Sequence, residues 1–245
     1  MTDFTYDLVT LDEMRLGLVV LQADESLERD LRQLVPPGIN LLVSRVPSAT
    51  EVSQETLARM AHDLPAAASL LPQMHPYAAV GYGCTSGAAV IGRDKVADLI
   101  RSTTPTQNVT DPVTALIAAT AALGINRLAI LSPYVAEVSA HLRRVLEHNG
   151  VATPVFGSFN EAEEQRVVRI APASIIAAVV KLAAKGGVDG IFLSCTNLRT
   201  LDLIAPLEAR LGLPVLSSNQ VIGWHMLRLA GVTEPLEGFG RLLRH

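Results

Sequence analysis

The 245-residue chain contains two cysteines, Cys84 and Cys195. Each closes an apolar run and each is followed by threonine. Cys84 stands in Gly81-Tyr82-Gly83-Cys84-Thr85-Ser86-Gly87-Ala88, and Cys195 in Leu193-Ser194-Cys195-Thr196-Asn197-Leu198-Arg199-Thr200. A thiolate is a nucleophile and, near an acidic carbon, a base. The small residues around Cys84 let backbone amides approach a ligand closely. Thr85 and Ser86 add hydroxyl donors, and a helix expected to begin at Ala88 presents free N–H groups at its start. Donors of this kind suit a carboxylate, and the positive helix end is expected to depress the Cys84 thiol below its ordinary value of about 8.5. Thr196 and Asn197 repeat the donor set beside Cys195. Tyr134, in Ser132-Pro133-Tyr134, offers a phenol to a carboxylate or enolate oxygen, or simply packs at an interface. Arg199 reads equally as a substrate clamp or a solvated arginine. One cysteine on a tight turn would be a buried structural thiol; two in matching frames point to one shared site.

The elements that must position these residues alternate in type. Strands are expected over 16–21, 39–46, 77–82, 127–131, 151–156, 190–194 and 214–216, with helices over 26–34, 53–71, 88–102, 112–123, 136–149, 173–185, 201–211 and 219–230. Such alternation implies parallel sheets covered by helices. Continuous apolar strands such as Leu16-Gly17-Leu18-Val19-Val20-Leu21 fit burial on both faces. The pattern occurs twice. Cys84 follows Leu16 by 68 positions and Cys195 follows Leu128 by 67, each at the end of the third strand of its half. The fold class is therefore α/β, with two pseudo-symmetric flavodoxin-like lobes: residues 1–112 plus 223–245 carrying Cys84, and 113–222 carrying Cys195. Ligands of open α/β sheets bind beyond the carboxyl ends of the strands, so facing lobes would bring both cysteines to one cleft. Residues 1–14 are expected to form a loose arm.

Composition narrows the partners. A net charge of −4, a pI of about 5.9 and 4% aromatic residues give no footprint for nucleic acid. No apolar run approaches the roughly 20 residues of a membrane span, and the acidic start resembles no signal peptide; a cytoplasmic protein with free thiols is expected. The six histidines form no ligand-spaced group, so no metal is expected. No phosphate-binding glycine loop follows a strand, and no Gly-x-Ser-x-Gly elbow is present. A homodimer is expected on general grounds.

The Gly83-Cys84-Thr85-Ser86-Gly87 and Ser194-Cys195-Thr196-Asn197 motifs resemble the aspartate/glutamate racemase superfamily, in the branch of maleate cis–trans isomerases, arylmalonate decarboxylases and ectoine-utilization racemase-like proteins. The resemblance runs from about Leu16 to Trp224. It implies two lobes with the site between them, no cofactor, Cys84 and Cys195 acting on opposite faces of a small carboxylic acid, and Thr85, Ser86 and Tyr134 holding a carboxylate. Decarboxylases of the branch keep only the second cysteine, with glycine at the first, so decarboxylation is disfavoured. Two departures stand out. Maleate isomerases carry an Asn after the first strand, where this chain has Asp24, and a second Asn near the position of Glu164. An ionised carboxylate accepts hydrogen bonds but donates none, so both exchanges would favour an ammonium over a second carboxylate. Asp24 equally reads as a helix N-cap. The expectation is a cofactor-independent racemase of an amino acid or amino-acid derivative, as in ectoine catabolism, with maleate-type isomerisation through Cys84 as the alternative. A ligand-binding protein without catalysis is the rival of another class.

Overall fold

The computed structural model describes all 245 residues and contains two four-stranded, wholly parallel sheets. The first is built from β1 (Met14–Leu21), β2 (Ile39–Val46), β3 (Ala79–Gly83) and β4 (Val109–Thr110), in the order β2-β1-β3-β4. The second holds β5 (Arg127–Ser132), β6 (Ala152–Ser158), β7 (Gly190–Leu193) and β8 (Val215–Ser217), in the order β6-β5-β7-β8. The two orders are the same, so the internal repeat read from the cysteine spacing is a repeat of topology. In each sheet the chain winds outward in one direction and then returns to the other side of its first strand. The crevice at that reversal, between β1 and β3 and between β5 and β7, is where such sheets place ligands.

Helices cover both sheets. The first lobe carries α1 (Leu27–Leu34), α2 (Gln54–Ser69), α3 (Thr85–Ile91) and α4 (Arg93–Arg101), and α5 (Pro112–Leu123) connects β4 of the first sheet to β5 of the second. The second carries α6 (Ala136–His148), the single turn α7 (Glu164–Val167), α8 (Pro172–Ala183) and α9 (Ile204–Leu211), followed by α10 (Ser218–Leu229). Central strands are buried throughout: Leu16, Leu18, Val19 and Val20 of β1 and Leu128, Ala129 and Ile130 of β5 have no exposed surface, as strands covered on both faces require. Local chemistry sets several boundaries. Asp111 caps α5 by accepting from the amides of Val113 and Thr114, Pro112 occupies its first turn, and Gly124 ends it at φ 68°.

The structure departs from the expected elements in particular places. The helix expected over 88–102 is two helices, because Gly92 adopts φ 96° between α3 and α4, a conformation open to glycine and costly for other residues. The first of them starts at Thr85, three residues earlier than expected, which puts Cys84 itself at the N-cap. The helix expected over 201–211 opens with a 3-10 turn at Leu201–Leu203. Neither β4 nor α7 was expected; both are shorter than a period can register. Residues 1–13 form no regular structure and leave Phe4, Tyr6, Leu8 and Val9 exposed. The tail folds onto α10 and α9: the Trp224 and Arg228 side chains donate to the carbonyl of His245, and the Arg241 amide donates to Glu208. No helix is long and apolar enough to cross a membrane.

Candidate active site

Cys84 leaves the end of β3 and caps α3. Its Sγ accepts from the Gly87 amide at 3.2 Å. Gly87 is required there: a Cβ would stand 2.6 Å from the Tyr82 hydroxyl and 2.9 Å from Sγ. Tyr82, two residues back on the strand and so on the same face as Cys84, is fully buried, and its phenol lies against the thiol. Cys195 follows β7 at φ 106°, a backbone region that an L side chain occupies only when its surroundings hold it there. Three contacts do so. The Cys195 amide donates to Ser218 Oγ at 3.0 Å, Sγ accepts from the Asn197 amide at 3.3 Å, and Sγ meets the Tyr134 hydroxyl at 3.0 Å. Each cysteine thus has a strand end behind it, an amide on its sulfur and a tyrosine beside it.

The two motifs converge on one site. Ser218 Oγ also accepts from Thr85 Oγ1 at 2.8 Å, so a single hydroxyl ties the residue after Cys84 to the amide of Cys195. Thr196 Oγ1 donates to the carbonyl of Gly83 at 3.2 Å, crossing in the other direction. Glu164, on the short turn α7, accepts from the Tyr134 hydroxyl at 2.5 Å and from Asn197 Nδ2 at 3.2 Å. Asn197 also donates to the carbonyl of Ala23 and accepts from the Glu25 amide, joining the loop after β7 to the loop after β1. That loop holds Asp24. Its Oδ1 accepts from the amides of Ser26 and Leu27 at the start of α1, while Oδ2 is buried without a hydrogen-bond partner. The N-cap of α1 is Ser26, not Asp24; Asp24 holds the start of the helix from two residues upstream through Oδ1 and has one oxygen left over.

Burial governs the electrostatics. Asp24 is 3% exposed and Glu164 3%. Loss of hydration pushes the Asp24 carboxyl up to about 6 against the pull of its two amide donors and of the nearby Thr196 hydroxyl, with repulsion from Glu164 adding to the rise. Burial raises Glu164 as well, opposed by Tyr134 and Asn197. The expectation of an acidified Cys84 is corrected here. Burial pushes its thiol up to about 12, and the charges of Glu164 and Asp24 push the same way. The Gly87 amide and Tyr82 hydroxyl pull it down without prevailing. Cys195 is raised well above the ordinary thiol value by burial and then by Glu164, with Asp24 contributing. The donors of α3 exist, but one amide at the end of a seven-residue helix does not outweigh lost water and two nearby carboxylates.

All the candidate residues lie around this cluster, but they are not all free to bind. The donors of Thr85, Thr196 and Asn197 are spent on protein partners, which runs against their expected role of holding a substrate carboxylate in the structure as it stands. Tyr134 is committed to Glu164 and Cys195. Ser86, 7% exposed and two residues past Cys84, keeps its hydroxyl uncommitted. Arg199 lies outside, exposed, on the rim of a cavity of about 510 Å³ that it shares with Glu25, Gln165 and Arg169. Two important residues went unread in the sequence. Tyr82 could have been found from its i−2 relation to Cys84 on a strand. Ser218 could have been found from the run Ser217-Ser218-Asn219-Gln220, four uncharged polar residues spanning the end of β8 and the first turn of α10, all without exposed surface.

Comparison with known proteins gives the family and the fold. Residues 87–243 match the family model described as arylmalonate decarboxylase. The arylmalonate decarboxylase of Bordetella bronchiseptica is 34% identical over 131 residues, and the maleate isomerase of Nocardia farcinica 28% identical over 131 residues. Each alignment covers 53% of this chain, and the chain spans about half the length of these relatives, 55% and 52%. Over nearly the whole chain the fold is that of a Cys-to-Ser mutant of Nocardia farcinica maleate cis–trans isomerase, solved with a covalently bound succinylcysteine intermediate. The TM-score is 0.81 at 23% identity, covering 94% of this chain and 98% of that one.

Proposed function

From the premise that the chain belongs to the arylmalonate decarboxylase family, we propose that it is an isomerase of a small carboxylic acid in which Cys84 and Cys195 carry the chemistry. The observation that carries this reading is that the two cysteine motifs are joined across the lobes, Ser218 linking Thr85 to the Cys195 amide and Thr196 reaching the Gly83 carbonyl, with Glu164 and the Cys195 thiol sharing the Tyr134 hydroxyl. A decarboxylase with glycine at the first cysteine position has no use for that pairing.

The relatives favour cis–trans isomerisation. In that reaction Cys84 Sγ, deprotonated, adds to one carbon of an activated alkene, and the electron pair of the π bond moves to the neighbouring carbon and its carboxylate. Rotation about the resulting single bond follows. The pair then re-forms the double bond as the C–S bond breaks, returning the thiolate. The Cys195–Tyr134 pair, with its hydrogen bond already in place, stands where it can lend a proton to the carbanionic carbon and retrieve it. Racemisation uses the same parts without a C–S bond: one sulfur takes the α-proton and the other returns one to the opposite face. The uncompensated carboxylates favour this second reading for an amino-bearing acid. In either case the thiol must lose its proton in a site that resists ionisation, so substrate binding has to change the electrostatics before chemistry begins.

Proton NMR in D₂O separates the outcomes. Maleate converted to fumarate means addition and rotation; deuterium entering the α-position of an amino acid means proton transfer on a saturated carbon. Loss of CO₂ from an arylmalonate by the wild type would overturn the isomerase reading.

A further inference from the structure

Buried charges are tolerated when paired, and an unpaired one is costly. Asp24 and Glu164 sit beside two thiols, and none of the ion pairs in the molecule involves either carboxylate. Arg45 reaches the neighbourhood but spends its guanidinium on the carbonyls of Leu21 and Asp24 and on the carboxylate of Glu28. Glu164 has hydrogen-bond donors and no cation. Asp24, 3% exposed, has amide donors on Oδ1; the Thr196 hydroxyl lies near its carboxylate but donates its proton to the Gly83 carbonyl, and Oδ2 is left without a hydrogen-bond partner. Two acceptors, one of them unsatisfied, therefore line a site whose own protein groups supply no positive charge.

We propose that the missing charge arrives with the substrate: the acid on which these thiols act carries a protonated amine, seated between Asp24 Oδ2 and Glu164. The inference rests on the two-thiol isomerase reading and narrows its substrate class to amino-bearing acids. An ammonium has three donors and no acceptor, which matches an unsatisfied carboxylate oxygen beside a second carboxylate; a second substrate carboxylate would meet repulsion from both. Seating the cation also removes the repulsion that Asp24 and Glu164 exert on both sulfurs, so the group that identifies the substrate is the group that lets a thiol ionise.

The test uses the purified full chain and three small thiol reagents of one chemistry and different charge: aminoethyl, methyl and sulfonatoethyl methanethiosulfonate. Each transfers its thio group to a thiolate and releases methanesulfinate. Rates at Cys84 and Cys195 are read by mass spectrometry and divided by the rates for N-acetylcysteine amide. The expected order is cationic over neutral over anionic, with the cationic-to-anionic ratio about tenfold or more above that of the free thiol. Asp24→Asn and Glu164→Gln should each reduce the ratio, and the double variant should abolish the preference. A flat or reversed order in the wild type overturns the inference alone and needs no variant to be read. Should burial keep all three reagents from both thiols, exchange in D₂O decides instead: deuterium entering an amino-bearing acid supports the inference, and turnover confined to maleate overturns it while leaving the two-thiol reading intact.

Discussion

Replacing Glu164 with glutamine should make Cys195 a better acid and a faster nucleophile. Glu164 Oε1 and Cys195 Sγ both contact the Tyr134 hydroxyl, at 2.5 and 3.0 Å, so they lie no more than about 5.5 Å apart. At that distance two unit charges interact by about 3 kcal/mol at an effective dielectric of 20 and by about 0.8 kcal/mol in bulk water. Removing the carboxylate charge should therefore lower the Cys195 thiol by roughly one to two pKa units. Glutamine keeps the shape and an acceptor for Tyr134, so the packing change is small. The assay is the pH dependence of Cys195 alkylation by iodoacetamide, resolved from Cys84 by peptide mass spectrometry. At pH 8 the rate should rise by about 10- to 100-fold, because almost none of the wild-type thiol is ionised there. Cys84, which also feels Glu164, should rise in the same direction. An unchanged or slower rate at Cys195 in a folded Glu164→Gln protein would refute the assignment of Glu164 as the charge that holds this thiol neutral.

Other outcomes follow from the same geometry. Cys195→Gly should be more stable to urea than Cys195→Ala by about 1 kcal/mol, because glycine accepts φ 106° without strain; equal stabilities would show that the turn relaxes at no cost. Ser218→Ala should cost about 2–4 kcal/mol of unfolding free energy, since Thr85 Oγ1 and the Cys195 amide both lose a buried acceptor, and a cost under 0.5 kcal/mol would remove Ser218 as the tie between the motifs. Asp30, buried and pushed up to about 6 from 3.8 mainly by loss of hydration, binds its proton more tightly folded than unfolded. Its contribution therefore weakens stability as pH rises from about 4 to 6, by up to ~3 kcal/mol. Relative to the wild type, Asp30→Asn should gain stability through that window in unfolding titrations, and a constant difference across it would contradict the shift.

The repeat was legible because its two copies share strand chemistry: continuous apolar β1 and β5, and a Cys-Thr pair after β3 and β7. What escaped was shorter than a period or dependent on burial. Between Ala88 and Ile100 the interruption Gly92-Arg93-Asp94-Lys95 reads equally as the exposed face of one helix, and only the positive φ of Gly92 makes two helices of one. The carboxylates Asp24 and Glu164 were legible as residues out of place. Whether Asp24 holds the start of a helix or faces the site could not be read from sequence, since its two oxygens do both. The acidity of Cys84 was misjudged for a related reason. Its helix N-terminus is visible in sequence, whereas full burial and the proximity of residues 60 to 80 positions away are properties of the packed molecule. Tyr82 and Ser218 lay in plain view but advertise chemistry only once their neighbours across the cleft are known.

The central claim is that both thiols serve one reaction. The most direct measurement is turnover by the two single variants, Cys84→Ser and Cys195→Ser, on the acid that the wild type converts in D₂O. Serine keeps the size and hydrogen bonds of each site but is a far weaker acid and nucleophile than cysteine. Both variants should fold as the wild type does and both should lose at least about a thousandfold in kcat/KM, equivalent to about 4 kcal/mol of transition-state stabilisation. Wild-type turnover by either variant would contradict the account.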